Sequence, residues 1–312
     1  MGRAAVWTVA GAALLAAAVL TVLGVGDDPD ALPNWQAFVL GIVQGATELL
    51  PVSSSGHLIL VPWLGDWDYL KEHESFNQTF DVALHLGTLV AVVGYFWRDL
   101  VLLVAAWLGT LRTRRLETAE ERIAWFVFVA TIPAALVGLA GENLIAEHLG
   151  EPWQIAIVLA LFGGLLWYAD RRPERRQMGE LGLRAAVGVG LAQSLALMPG
   201  VSRSGITITA GRLLGLDRDS AARFSFLLLV PTVLGAVVLK GITDVLLGEL
   251  PHGSTGPFVV GTLAAAGSGL LAISALLGYV RRHDYSIFVW YRLAVAAAVL
   301  LLIASGAREA GF

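Results

Sequence analysis

The chain contains no cysteine and few charged residues. Without a thiol it forms no disulfide bond, no thiolate metal site and no cysteine nucleophile. Only 15% of its 312 residues are charged and 56% are hydrophobic, whereas soluble domains average about a quarter charged residues. The six histidines show no HExxH-type spacing, so a zinc site made of protein side chains alone is not expected. A net charge of -4 gives no indication of a nucleic-acid partner. The composition predicts a protein surrounded by membrane lipids.

Seven apolar segments meet or approach the length of about 20 residues that a helix needs to cross the hydrocarbon core. They are residues 4–25, 80–97, 123–141, 153–169, 224–247, 257–280 and 289–305. The run 99–111 is too short to span and is predicted to be an interfacial helix. Segment 4–25 is interpreted as a retained extra helix, because its only basic flank is Arg3 and its apolar stretch is long; a signal peptide is the alternative.

Arginine clusters lie between alternate apolar segments. Five arginines fall in 98–122, five in 171–184 and three in 212–223, and Arg281 and Arg282 follow. By the positive-inside rule these regions are cytoplasmic. The other loops are predicted to be external, because three of them contain no Lys or Arg and the fourth contains only Lys71: residues 26–34, 142–152, 248–256 and 66–79.

This topology requires two further apolar stretches, 35–65 and 184–215, to enter and leave on the same side. Both are therefore predicted to be re-entrant hairpins. In the first, Pro51 ends a half-helix over 36–49 and a second half-helix begins at Gly56. In the second, the chain is predicted to break at Pro199, Gly200 and Gly205.

The two hairpins share a sequence pattern. GIVQGATELLPVSSSG (41–56) aligns with GLAQSLALMPGVSRSG (190–205), and the next segments align Phe80 with Phe224 and Thr88 with Thr232. Since one hairpin enters from outside and the other from inside, the halves are predicted to be inverted repeats, which place binding sites near the bilayer midplane. The predicted fold is an all-α polytopic membrane protein with six core spans, two re-entrant hairpins and one extra N-terminal helix. Its predicted parts are residues 1–30, the extra helix, and 31–312, one catalytic domain with repeats at about 35–122 and 184–280.

Polar residues are concentrated in the first hairpin. Gln44 and Glu48 lie four residues apart on one face of an otherwise apolar half-helix. A carboxylate there is costly unless it faces protein or a water-filled cavity, which makes Glu48 a functional candidate; alternatively Glu48 bonds nearby serines and holds the hairpin together. The segment PVSSSGH (51–57) places three hydroxyls before a half-helix N-terminus, which suits an anion. His57 is either part of that site or a structural buried histidine.

The second hairpin places an arginine at its turn. In PGVSRSG (199–205), Arg203 stands between two serines, and its planar guanidinium suits phosphate. The alternative is an internal ion pair between Arg203 and Glu48. If the hairpins meet, one pocket would hold Gln44, Glu48, Ser53, Ser54, Ser55, His57, Ser202, Arg203 and Ser204. Such a pocket offers an anion clamp, a base and nucleophiles with apolar walls, which indicates phosphoryl chemistry on a lipid.

Two motifs resemble those of the bacitracin-resistance type undecaprenyl-diphosphatases. QGATELLPVSSSGH (44–57) is similar to the family's (E/Q)GxTExxPVSSSGH, and PGVSRSG (199–205) to its PGxSRSG. The resemblance extends from about 35 to 305 and includes FDVALHLGT (80–88) and FSFLLLVPT (224–232). It implies release of phosphate from undecaprenyl diphosphate, which recycles the carrier of peptidoglycan synthesis and confers bacitracin resistance. It also implies a bacterial inner-membrane protein with its active site facing the outer leaflet.

Residue by residue, the resemblance implies that Glu48 and His57 are catalytic and that Arg203 binds phosphate. The remaining matched positions line the phosphate loops: Ser53, Ser54, Ser55, Ser202, Ser204 and Gly205. Gln44 stands where the family has Glu or Gln, which weakens a two-carboxylate metal site. A Mg²⁺ or Ca²⁺ ion is then expected to be carried by the diphosphate, with Glu48 as the candidate protein ligand. The nucleophile stays open between Ser54 activated by His57, His57 itself, and water.

Two other functions are consistent with parts of the pattern. Inverted repeats with broken helices are also typical of secondary transporters, so the chain could move a polyprenyl phosphate across the bilayer. The segment SGH (55–57) occurs in another lipid-phosphatase superfamily. That superfamily also needs a later Ser-Arg followed by His and Asp, whereas no histidine follows Arg203 before His252. The expected partners are the polyprenyl diphosphate and membrane lipids, and a homodimer is one candidate assembly.

Overall fold

The computed structural model of the protein describes residues 2–28, 30–240 and 253–311, which form helices and no extended strand. In chain order the helices are α1 (Arg3–Val22), α2 (Asn34–Leu49), α3 (Ser54–Gly65), α4 (Tyr69–Glu72), α5 (Glu74–Tyr95), α6 (Trp97–Thr113), α7 (Ala119–His148), α8 (Pro152–Asp170), α9 (Leu183–Ser194), α10 (Arg203–Leu213), α11 (Arg218–Lys240), α12 (Thr255–Val280) and α13 (Ser286–Ala304). Short 3₁₀ turns occupy Met178–Glu180 and Leu195–Leu197.

Seven helices in the described ranges are long and apolar enough to cross a membrane, which confirms the seven predicted segments: α1, α5, α7, α8, α11, α12 and α13. The chain is therefore a multi-pass membrane protein. Helix α5 begins at Glu74, six residues before its predicted start, and takes up part of the predicted loop 66–79. Helix α7 likewise runs into the predicted loop 142–152. The end of predicted span 224–247 and most of loop 248–256 lie outside the described residues.

Two pairs of short helices are interrupted in the middle, as predicted. Helices α2 and α3 are 16 and 12 residues long, which is about 24 and 18 Å at 1.5 Å per residue and less than the roughly 30 Å hydrocarbon core. Helices α9 and α10, of 12 and 11 residues, form the second pair. The predicted start at Gly56 and the predicted break at Gly205 are wrong. Each glycine is the third residue of its helix, because a serine three positions earlier caps the helix.

Helix α12 is the most buried of the seven long apolar helices and packs against α1, α2 and α5. Small residues make the close packing against α2 feasible. A Cβ added to Gly41 would fall on the carbonyl of Gly261, and one added to Gly45 would fall on Ser268 Oγ and the carbonyl of Ala265. The first helix of the first interrupted pair is thus held directly against α12.

A buried ionic cluster joins four helices at the C-terminal end of α8. Asp170, only 6% exposed, accepts hydrogen bonds from Arg212 Nε at 3.0 Å and Arg218 Nε at 2.9 Å. The backbone N–H of Tyr285 donates to the same carboxylate at 2.9 Å. Because α8, α10, α11 and the segment before α13 all contribute, this cluster fixes the far end of α10.

We expect Gly45→Ala to lower the free energy of unfolding by about 1–3 kcal/mol, because the added methyl overpacks the contact with α12. Alanine is otherwise the better helix former. Gly164→Ala is the matched control, since a Cβ there meets nothing within 4 Å and α8 continues on both sides. Thermal unfolding of the two detergent-purified variants measures the difference. Equal midpoints would contradict this packing.

Candidate active site

The two interrupted helix pairs turn at serines that adopt the same unusual backbone conformation. Ser53 has φ 79° and ψ 97°, and Ser202 has φ 74° and ψ 114°. Positive φ is costly for a residue with a Cβ and is most often found at functional sites. Each serine also caps the helix that follows: Ser53 Oγ accepts from Gly56 N–H at 3.3 Å, and Ser202 Oγ accepts from Gly205 N–H at 3.0 Å. The aligned motifs therefore form equivalent turns.

Hydrogen bonds connect one turn directly to the other. The N–H of Gly200 donates to Ser53 Oγ at 3.2 Å, and Ser204 Oγ donates to the carbonyl of Leu50 at 2.9 Å. These residues are about 150 positions apart in the sequence, and all of their bonding atoms come from the two turns. The structure thus brings together the turns of the two interrupted helix pairs, on which the prediction of one shared pocket depended.

An ion pair between Glu48 and Arg203 lies beside the two turns. Arg203 Nε donates to Glu48 Oε1 at 3.1 Å, and the side chains are only 10% and 5% exposed. Arg203 Nη1 donates to the carbonyl of Ser225 at 2.9 Å. Its Nη2 is buried and has no hydrogen-bond partner in the described part of the chain. The Nη2 amino group of Arg203 is therefore available to donate to a further acceptor.

The second oxygen of Glu48 is surrounded by three more polar side chains. Ser54 Oγ donates to Glu48 Oε2 in a short hydrogen bond, and Gln44 Nε2 donates to the same oxygen at 3.4 Å. His85 Nε2, from α5, lies 3.6 Å away. The side-chain amide oxygen of Gln44, Oε1, is buried and without a partner among the described residues. Glu48 is therefore the hub of the site.

One predicted mechanism requires a hydrogen bond between His57 and Ser54, and none is formed among the described residues. The Nδ1 of His57 lies 2.7 Å from the carbonyl of Ser53 and its Nε2 lies 2.8 Å from the hydroxyl of Tyr291. A carbonyl only accepts, so Nδ1 carries the proton, and in the neutral ring Nε2 accepts from Tyr291. The ring stays in the pocket but is oriented by α13, and the base nearest to Ser54 is Glu48.

The remaining predicted residues line the turns. Ser55 Oγ lies 3.4 Å from Ser53 Oγ, and Ser202 Oγ lies 3.2 Å from Ser204 Oγ. The N–H of Gly205 is occupied by the cap of Ser202, so it is not free for phosphate. At each turn the first N–H groups of α3 and α10 have no partner within their own helix and carry the positive end of its dipole. The site is thus built to receive an anion.

Three polar residues of this region were not predicted from the sequence. His85 lies in the FDVALHLGT segment, but the residues of that segment used to align the repeats are Phe80 and Thr88. Tyr291 and Arg292 lie within the predicted span 289–305. The signal that could have found Arg292 is its charge inside an apolar segment, which is a functional candidate by the same argument as Glu48.

The protein groups around Glu48 do not fit a complete divalent-cation site. Among the described residues no group of three His, Asp or Glu side chains is placed to hold a metal ion. Glu48 already accepts bonds from Arg203 and Ser54. Calcium and magnesium need six or more oxygen ligands or ordered waters. Any such ion must therefore obtain most of its ligands from elsewhere.

Comparison with known proteins identifies the family of the chain. A family model described as bacitracin resistance protein BacA matches residues 37–298. An undecaprenyl-diphosphatase of Thermomicrobium roseum is 49% identical over 283 residues, covering 88% of this chain and 99% of the relative. One of Moorella thermoacetica is 48% identical over 267 residues, covering 85% and 96%. One of Geobacter sulfurreducens is 48% identical over 271 residues, covering 85% and 96%. The chain therefore belongs to the bacitracin resistance protein BacA family.

Proposed function

We propose that this chain is a phosphatase that converts undecaprenyl diphosphate to undecaprenyl phosphate and inorganic phosphate. The observation that carries the proposal is the buried Nη2 of Arg203, the first residue of α10, which has no hydrogen-bond partner in the described ranges although Nε is paired with Glu48. A guanidinium and helix N-termini are suited to a diphosphate, and the apolar surroundings suit a polyprenyl chain. The substrate is inferred from the related undecaprenyl-diphosphatases.

In the proposed mechanism Arg203 and the two helix N-termini bind the diphosphate. Gln44, Ser53, Ser55, Ser202 and Ser204 supply further hydrogen bonds around it. Ser54 Oγ attacks the terminal phosphorus and gives its proton to Glu48, to which it is already hydrogen-bonded. The bond from that phosphorus to the bridging oxygen breaks, and undecaprenyl phosphate leaves. Water then cleaves the phosphoserine and releases inorganic phosphate.

His57 is the second candidate nucleophile. Its Nε2 would have to part from the Tyr291 hydroxyl before it could attack phosphorus, whereas Ser54 needs no rearrangement to reach its base. We therefore assign His57 to positioning the first turn, because both of its ring nitrogens are bonded to protein groups, and direct attack by water remains the third route. A Mg²⁺ or Ca²⁺ ion, where required, would be held mainly by diphosphate oxygens and would add positive charge there.

The topology we propose places the arginine-rich segments in the cytoplasm. The two interrupted pairs then form re-entrant hairpins from opposite sides in an inverted repeat, with the extra helix α1 packed outside one catalytic domain of residues 31–312. The matched Ser53 and Ser202 turns support this arrangement. In a bacterial inner membrane, a site open to the outer leaflet would recycle the carrier lipid for peptidoglycan synthesis and so confer bacitracin resistance.

Phosphate release from undecaprenyl diphosphate by the detergent-purified protein tests the function. We expect activity in the wild type and a loss of at least ~100-fold in Arg203→Ala and His57→Ala. Arg203→Ala removes a contact to the phosphate in the transition state, and His57→Ala removes the ring that bonds the Ser53 carbonyl in the first turn. Arg184→Ala, which removes an exposed arginine at the start of α9, should retain wild-type activity. A wild type that releases no phosphate in the presence of Mg²⁺ or Ca²⁺ would instead favour a transporter of polyprenyl phosphate.

Trapping with substrate labelled in its terminal phosphate tests the nucleophile. We expect label on Ser54 after acid quench, and none in Ser54→Ala, because only that hydroxyl is bonded to the carboxylate base. Ser305→Ala is the control, since Ser305 is exposed at the C-terminal end of α13 and lies outside the two turns. Label on His57, or equal labelling of Ser54→Ala and the wild type, would contradict the serine mechanism.

A further inference from the structure

Helix α13 carries a buried arginine to which the proposed reaction assigns no role. The side chain of Arg292 is 0% exposed although α13 is apolar over most of its length. No ion pair found among the described residues joins it to an acid. Burying a guanidinium without a carboxylate costs several kcal/mol in desolvation, so its bonding partners must explain its position.

Within the described ranges the guanidinium donates only to backbone carbonyls. Its Nε donates to Leu159, inside α8, at 3.1 Å, and Nη1 donates to Pro51 in the first turn at 3.3 Å. Its Nη2 donates to two carbonyls of the second turn, Gly200 at 2.9 Å and Val201 at 3.1 Å. One rigid, planar group therefore bridges α8 and both turns, and in the turns the helices are broken, so that the carbonyls there lack helical partners.

The carbonyls of Pro51 and Gly200 occupy equivalent places in the two turns. Each lies two residues before the serine that caps the following helix, Ser53 or Ser202. Because the guanidinium fork is fixed in shape, it sets the distance between these two carbonyls and hence between the two caps. The bond from Gly200 N–H to Ser53 Oγ crosses between the same turns.

We propose that Arg292 is a positioning residue for phosphate release. It holds the two serine turns together so that Arg203 and the N-termini of α3 and α10 converge on one diphosphate; this inference rests on the proposed function. The hydrogen bonds from Arg292 to the turns are separate from the ion pair between Glu48 and Arg203.

Neighbouring glycines leave room for this group. A Cβ on Gly205 would come within 2.9 Å of Arg292 Nη1, and one on Gly163 would lie 3.5 Å from Arg292 Cβ. The closer contact explains why the third residue of α10 is a glycine, because a side chain there would collide with Arg292. The N–H of Gly205 already donates to Ser202 and is not free to bind phosphate. We infer that Gly205, predicted from the sequence to bind phosphate, acts by making space for the Arg292 fork.

Arg292→Met tests the proposal, because methionine has a similar length but neither charge nor donors. Arg292→Lys keeps the charge and loses the fork. The matched control is Arg212→Met, which removes an arginine that is 1% exposed and also bonds to carbonyls, but in the Asp170 cluster. In that variant Asp170 keeps its hydrogen bond from Arg218 at 2.9 Å.

Two readouts are measured on the folded fraction of each variant: kcat and KM on undecaprenyl diphosphate, and amide exchange across the chain. Small misplacements of reacting groups cost about 100-fold in rate. We expect Arg292→Met to lose about that factor in kcat with less than about a threefold change in KM, and Arg292→Lys to be intermediate. Exchange should accelerate at residues 50–57 and 198–206 and stay unchanged in α12. Arg212→Met should lose stability but keep the wild-type kcat and exchange at the turns.

A wild-type kcat in folded Arg292→Met would overturn the proposal. So would acceleration of exchange that is spread evenly over the chain, because that result describes general stabilisation. A wild type without activity would overturn the proposed function instead. The exchange pattern then decides alone: faster exchange confined to both turns supports the positioning role, and unchanged turns contradict it.

Discussion

The buried ion pair between Glu48 and Arg203 is the contact that constrains the rest of the site. Either charge alone would be costly in an apolar environment, and removing one partner of such a pair typically costs about 3–5 kcal/mol. The two residues come from different interrupted helices, so the pair can form only if both helices break beside each other. The same geometry leaves Arg203 Nη2 without a partner. The pair therefore both stabilises the pocket and keeps a donor for the diphosphate.

Other features of the structure serve to keep the two turns in place. Small residues hold α2 against α12, and hydrogen bonds of Ser53 and Ser204 join one turn to the other. Helix α13 reaches the site with adjacent residues, since Tyr291 orients His57 and Arg292 bonds both turns. The conformational strain of the positive-φ residues Ser53 and Ser202 is tolerated because surrounding helices hold both turns in place.

The sequence predicted the parts of this protein that depend on hydrophobic length and on charge. Seven spans, two interrupted helix pairs and the meeting of Glu48 with Arg203 follow from apolar runs, prolines and the cost of isolated charges. It did not predict the exact helix starts, because the serine caps at Ser53 and Ser202 override the glycines that follow them. Nor did it predict which base faces Ser54. That depends on side-chain directions set by distant helices, which no local pattern records.

A double-mutant cycle on the phosphate-release activity of Glu48→Gln, Arg203→Gln and the combined variant measures whether the ion pair acts as one unit. Groups that act together show strongly non-additive effects. We expect each single variant to lose at least ~100-fold in kcat/KM, and the combined variant to lose no more than about tenfold beyond the worse single one. Losses that multiply, to about 10⁴-fold or more, would show that the two residues act independently and would contradict a site organised by their contact.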